Sequence, residues 1–141
     1  PDGTEADIDL TLSEYAGHDA TPLDKTDVEN TGISDTPFVA SGVLVQADEL
    51  IVAIVGHGVE DSVITPDGTY TQIGENESNE GGQAYNAQDK IVATSASDIA
   101  DWTLSVVDDW FALLASFKAV AVGGTVVKDL IGGSGIVPFA R

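Results

Sequence analysis

The sequence predicts an all-β chain, an antiparallel β-sandwich of jelly-roll type, on three observations. Apolar runs of strand length recur along the 141 residues, each closed by glycine, proline or polar turn residues. No stretch keeps the 3.6-residue apolar period of an amphipathic helix. The stretch Trp102–Lys118 (WTLSVVDDWFALLASFK), which holds both tryptophans and two of the four phenylalanines, reads better as two strands than as one helix. A helix there would be apolar on nearly every side in its second half, with Asp108 and Asp109 drawn into the interior. As strands, Trp102, Leu104 and Val106 alternate with Thr103, Ser105 and Val107, Asp108-Asp109 turns the chain, and Trp110–Phe117 is buried on both faces. A buried helix of about ten residues is the alternative that run length leaves open. Both tryptophans are expected in the core.

The other elements follow in chain order. Residues 1–7 read as a linker, 8–122 as the sandwich domain and 123–141 as a glycine-rich tail or edge strand. Ile8–Ser13 alternates apolar and polar residues, the mark of a half-buried strand, and Glu14–Gly17 ends it in a turn. His18–Thr36 is polar, with Pro22, Gly32, four Asp and one Glu, and is expected to be an excursion over the surface. Pro37–Gln46 reads as a strand bulged at Ser41-Gly42. Leu50–Val55 lacks alternation, as a central strand covered on both faces would, and Gly56-His57-Gly58 places His57 at a loop rim. Val63–Thr65 is a short strand stopped by the turn Pro66-Asp67-Gly68, and Thr69–Ile73 returns as a strand. Gly74–Gln83 is expected to be a solvated loop. Ala84–Ala87 and Lys90–Thr94 read as two strands, and Ser95–Ala100 as a connection. Beyond Lys118, Ala119–Val122, Thr125–Lys128 and Ile136–Phe139 are short β-like pieces among glycines.

Charge narrows the habitat. Against 24 Asp plus Glu stand 5 Lys plus Arg, a net charge of −19, while 43% of residues are hydrophobic. An inventory that apolar belongs to a folded domain with an acidic skin rather than to a disordered acidic tail. Like charges at this density repel and destabilise the compact state in dilute buffer. At molar salt the Debye length falls to about 3 Å and the repulsion is screened. Acid excess, scarce lysine, abundant Ala, Val, Thr and Gly, and no cysteine resemble proteins of extreme halophiles, haloarchaea and their viruses in particular. Nucleic acid is disfavoured as a partner because no basic patch is present to neutralise phosphates. Without cysteine, disulfides and thiolate metal sites are excluded. No run of 18 apolar residues could cross a membrane as a helix, and a start at Pro1 is expected from processing or from the choice of fragment.

Several short motifs, in this order, resemble a family of jelly-roll or lectin-like β-sandwich domains found in phage structural proteins and in secreted bacterial or archaeal proteins. They are Glu14-Tyr15-Ala16-Gly17 with Asp19 and Thr21-Pro22-Leu23-Asp24, then Asp48-Glu49-Leu50-Ile51-Val52, then Asp101–Ser105 with Asp109-Trp110 and Phe117-Lys118. Together they span residues 14–118. The resemblance implies attachment or virion decoration, with no shared catalytic set. It also implies that an upstream part is missing or that a neighbouring subunit completes the module.

Chemistry-bearing residues are few. His18 and His57 alone could act as bases near neutral pH, and neither sits in a motif that supplies a nucleophile or a metal partner. No enzyme activity or cofactor is therefore expected. Three carboxylate sets could bind calcium or could simply form a solvated face: Asp19 with Asp24 and Asp27, Glu75 with Glu77 and Glu80, and Asp98 with Asp101. Tyr15, Tyr70 and Tyr85 could serve as sugar platforms or pack into a sheet face. Asn76-Glu77-Ser78 is an N-glycosylation sequon. The tail holds the interface candidates Val126, Leu130, Ile131, Ile136, Val137 and Phe139, expected to pack on a neighbouring subunit by strand addition, unless they close the domain's own sheet.

The sequence thus points to a non-enzymatic structural or decoration protein of a haloarchaeal virus, at the virion surface in high salt. Its expected partners are copies of itself, other virion subunits or a cell-surface glycan. The alternative is a carbohydrate-binding module of a secreted haloarchaeal protein.

Overall fold

The computed structural model describes residues 13–58, 63–76 and 84–120, and the backbone of 127–129. The described residues contain strands and no helix: β1 (Glu14–Ala16), β2 (His18–Ser34), β3 (Phe38–Val43), β4 (Glu49–His57), β5 (Ile64–Pro66), β6 (Thr71–Asn76), β7 (Ala84–Val92), β8 (Ser97–Leu104), β9 (Asp108–Ala119) and β10 (Val127–Asp129). A five-stranded sheet in the order β2-β9-β4-β7-β6 packs against a three-stranded sheet in the order β3-β8-β5, and β1 pairs with β10 in a short ribbon. Every pairing is antiparallel. The antiparallel β-sandwich predicted from the sequence is the fold observed.

The core lies between the two sheets. Ile51, Ala53 and Val55 of β4 stand beside Trp110, Ala112 and Leu114 of β9 and meet Val39, Ile64, Ala100, Trp102 and Leu104 of the smaller sheet. Each buried Val, Leu or Ile side chain contributes about 1.5–3 kcal/mol relative to exposure. Both tryptophans are buried, as expected, and each indole N–H finds an acceptor: Trp102 donates to Asn86 Oδ1 at 3.1 Å and Trp110 to Ser34 Oγ at 3.0 Å. Gly32 lies opposite Trp110 and Gly56 opposite Phe111. A Cβ on Gly32 would come within 2.7 Å of the indole, and one on Gly56 within 2.6 Å of the phenyl ring. Only glycine lets these rings lie flat on the neighbouring strand.

Several expected elements are corrected. His18–Ser34 is an edge strand, not a surface excursion; its polar composition follows from its position, since among the described residues one side of its backbone faces no partner strand. Pro22 falls in the irregular stretch where the β2–β9 register shifts, which an edge strand tolerates. Asp108 and Asp109 open β9 rather than forming the turn, which lies at 105–107, and β8 and β9 sit in different sheets, so the connection arches across the sandwich. Trp110–Phe117 is buried on its inner face only; on the other face Phe111 is 49% and Leu113 43% exposed. Ala84–Val92 is one strand, Ser97–Ala100 belongs to β8, and Gly74–Asn76 belongs to β6. His57 is buried at the end of β4 rather than at a loop rim. The strand at Leu50–Val55 is central, and β3 bends where expected, with Gly42 at φ 68° beside a register shift. The strand pieces proposed within 8–12, 119–122 beyond Val120, and 136–139 lie outside the described residues.

Candidate functional site

The outward face of the five-stranded sheet is the surface that the fold leaves to be explained. Side chains alternate along β4 and β9, so when Ile51, Ala53 and Val55 point inward, Leu50, Val52 and Ile54 point outward. The β4–β9 register then sets Leu50 beside Phe117, Val52 beside Ala115 and Ile54 beside Leu113. Both phases of these two central strands are apolar. An apolar outer phase is not needed for the sandwich core, and on an acidic chain it exposes hydrophobic surface to solvent.

One end of this face is covered by the chain's own N-terminal ribbon. Gly17, at φ 85°, lets the chain turn from β1 into β2 and bring Tyr15 over the sheet. Tyr15 packs with Leu50, Val52, Phe117 and Ala119 in a small second core. Its hydroxyl donates to Asp89 Oδ2 at 2.7 Å, and Asp89, on the outer face of β7, is only 4% exposed. Burial, reinforced by the hydrogen bond to that carboxylate and its charge, pushes the phenol well above its ordinary pKa. The middle of the face is a groove of about 720 Å³, lined by Leu50, Val52, Ile54, Leu113, Ala115 and Phe117 among others. Beyond it, Phe111 and Ile33, the latter 74% exposed, carry the apolar surface to the β2 edge.

The titratable groups form separate clusters. His57 Nδ1 lies 3.1 Å from Asp108 Oδ2, which also accepts the Gly58 N–H at 2.9 Å. Burial would raise the Asp108 pKa, but the N–H groups of Gly58 and Asp109 and the His57 ring outweigh it and hold the carboxyl below its ordinary value. The His57 side chain is wholly enclosed, so no substrate reaches it; the pair ties β4 to the start of β9. Glu49 is likewise wholly buried, with Oε1 accepting from Gln46 N–H at 3.0 Å and Oε2 from Ser116 Oγ at 3.0 Å. Desolvation, with the nearby Asp24 carboxylate, raises its pKa despite those two donors. On the smaller sheet, Asp98 receives Lys90 Nζ at 2.9 Å and the Tyr70 hydroxyl at 3.2 Å, while Lys90 sits 5.0 Å from the Tyr70 ring centroid.

The residues singled out in the sequence are dispersed by this architecture. Among the described residues no three His, Asp or Glu side chains are placed to hold a metal ion. Asp19 accepts the Thr21 N–H within β2, Asp24 accepts from Val45 N–H, and Asp98 is engaged by Lys90. Glu75 stands on β6, while the Asp27 side chain and residues 77 and 80 lie outside the described residues. Tyr70 is buried and Tyr15 and Tyr85 are half-buried. Asn76 is the last residue of β6, opposite Tyr85. His18 is exposed on the groove margin and takes Asp19 O as its neighbour at 3.0 Å. Of the tail candidates, Val126, Leu130, Ile131, Ile136, Val137 and Phe139 lie outside the described residues, whereas 127–129 pair with β1 of the same chain.

A second, smaller concavity of about 450 Å³ crosses the outer face of the three-stranded sheet, where Phe38, 46% exposed, neighbours Thr65, Asp67, Asp101 and Thr103. Burial and the adjacent Asp67 carboxylate raise the Asp101 pKa, while hydrogen bonds from Thr69 hold Asp67 low. Neither Phe38 nor Phe111 was singled out in the sequence as a surface group. The signal for Phe111 was present: β9 is apolar in both phases, so one apolar phase faces away from the core.

Comparison with protein-family models, with curated proteins and with solved structures gives no match to this chain.

Proposed function

We propose that this chain is a non-enzymatic structural subunit of an external assembly in a high-salt environment, a decoration component of a haloarchaeal virion. The observation that supports this reading most directly is the apolar surface that runs past the groove to Ile33 and Phe111 at the β2 edge. On a chain of net charge −19, exposed apolar surface of this kind marks a contact with another protein. Molar salt screens the repulsion between two acidic copies and leaves the apolar attraction in force. The partner is a second copy of the chain, with other virion subunits as further neighbours. Sedimentation equilibrium in molar KCl tests it: the wild type is expected to be larger than a monomer, and Ile33→Asp with Phe111→Asp should reduce it to one. A monomeric wild type would overturn the reading.

Phe38 favours a second reading, that of a glycan-binding domain. An exposed ring flanked by Asp67, Asp101 and threonine hydroxyls presents the mix of apolar face and hydrogen-bonding groups that sugars engage. Glycan-array binding in molar salt that is lost in Phe38→Ala, on a monomeric protein, would favour it over the assembly reading.

A further inference from the structure

The groove on the outer face of the five-stranded sheet is lined mostly by apolar residues. We infer that residues 130–141 (LIGGSGIVPFAR) of the same molecule seat in it. The route is set by the β1–β10 ribbon. Because β10 runs antiparallel to β1, with Val127 opposite Ala16 and Asp129 opposite Glu14, β10 ends one residue short of the level of Ser13. Ser13 and Tyr15 both line the groove. The segment therefore starts at the groove margin, and its local concentration there exceeds that of any separate chain.

Length and composition fit as well. Between Leu50 and Ile54 the groove floor spans about 13 Å at strand rise, whereas twelve extended residues reach about 40 Å. That leaves room for a turn at Gly132-Gly133-Ser134-Gly135. In a chain with 24 acidic residues, these twelve hold none, and their one charged side chain is Arg141. Leu130, Ile131, Ile136, Val137 and Phe139 match an apolar floor. The other segment that joins at Ser13, residues 1–12, carries Asp2, Glu5, Asp7 and Asp9, and an apolar groove would force those carboxylates out of water. This seating is independent of the assembly reading, since Ile33 and Phe111 lie beyond the groove.

The full chain with Val137→Asp and Phe139→Asp tests the inference, with Nile red as the probe in molar KCl. Dye fluorescence is expected to rise several-fold over wild type, with the near-ultraviolet circular dichroism of the buried tryptophans retained. Equal dye binding by the two proteins would overturn the seating. So would a rise seen only in Ile8→Asp with Leu10→Asp, which would assign the groove to the N-terminal segment. A dimeric wild type that the tail variant converts to a monomer, with Ile33→Asp still dimeric, would show exchange between copies and overturn seating within one molecule. Should the tail variant fail to fold, Ala140→Cys supplies a sole thiol in a cysteine-free chain. Its maleimide labelling should be several-fold faster when Ala115→Trp fills the groove floor, and an unchanged rate would overturn the inference.

Discussion

Trp110 and Phe111 are consecutive aromatic residues on one strand, and the sandwich gives them opposite roles that truncation to alanine separates. The indole of Trp110 is 6% exposed, lies over Gly32, stands 6.3 Å from the Phe38 ring and donates to Ser34. Removing it leaves a cavity at the end of the core, next to the buried His57. The loss expected is about 3–5 kcal/mol, of which the hydrogen bond accounts for about 1 kcal/mol. Phe111, half exposed over Gly56, forfeits only about half of an aromatic residue's 1.5–3 kcal/mol of burial, so Phe111→Ala should cost about 1 kcal/mol. For a domain of this length the difference corresponds to a gap of roughly 5–15 °C in melting temperature. Urea unfolding in molar KCl, followed by far-ultraviolet circular dichroism, measures both, and Trp110→Phe isolates the hydrogen bond. Equal losses for the two alanine variants, or a larger loss for Phe111→Ala, would refute the assignment of inner and outer faces.

The remaining predictions concern charge. Melting temperature should climb steadily from dilute buffer to molar KCl, because the Debye length contracts from about 10 Å at 0.1 M to about 3 Å at 1 M while the net charge of −19 stays fixed; a flat profile would remove the halophilic reading. Glu49 adds a pH dependence whose sign follows from its raised pKa. Below the ordinary carboxyl range the folded and unfolded chains both hold this proton. As pH rises from about 4.5 through the higher folded value, the unfolded chain releases it first and the folded state loses stability. Glu49→Gln should therefore melt higher than wild type at pH 7, with the advantage vanishing at pH 4, and a variant less stable than wild type at pH 7 would show that the carboxylate's bonds to Gln46 and Ser116 outweigh its burial.

The core was legible in the sequence because its signal is local. Trp102 and Leu104 alternate with polar neighbours, Leu50–Val55 is continuous and apolar, and both patterns follow from pleat geometry alone. What was missed depends on partners distant in sequence. His18–Ser34 reads as loop because an edge strand needs few apolar residues, and its strand character comes from β9, some eighty residues away. His57 between glycines looks exposed until Asp108, 51 positions later, meets it across the register that also sets it beside Trp110. Glu49 gives no local hint of burial, since its two donors come from a loop and from β9. The groove falls between these cases. Its signal was present in the two apolar phases of Trp110–Phe117, but covering on both faces was read as burial within the domain. The sandwich supplies one cover, the smaller sheet, and Tyr15 supplies part of the other. The rest of the outer face, the groove and the surface at Ile33 and Phe111 beyond it, has no cover among the described residues.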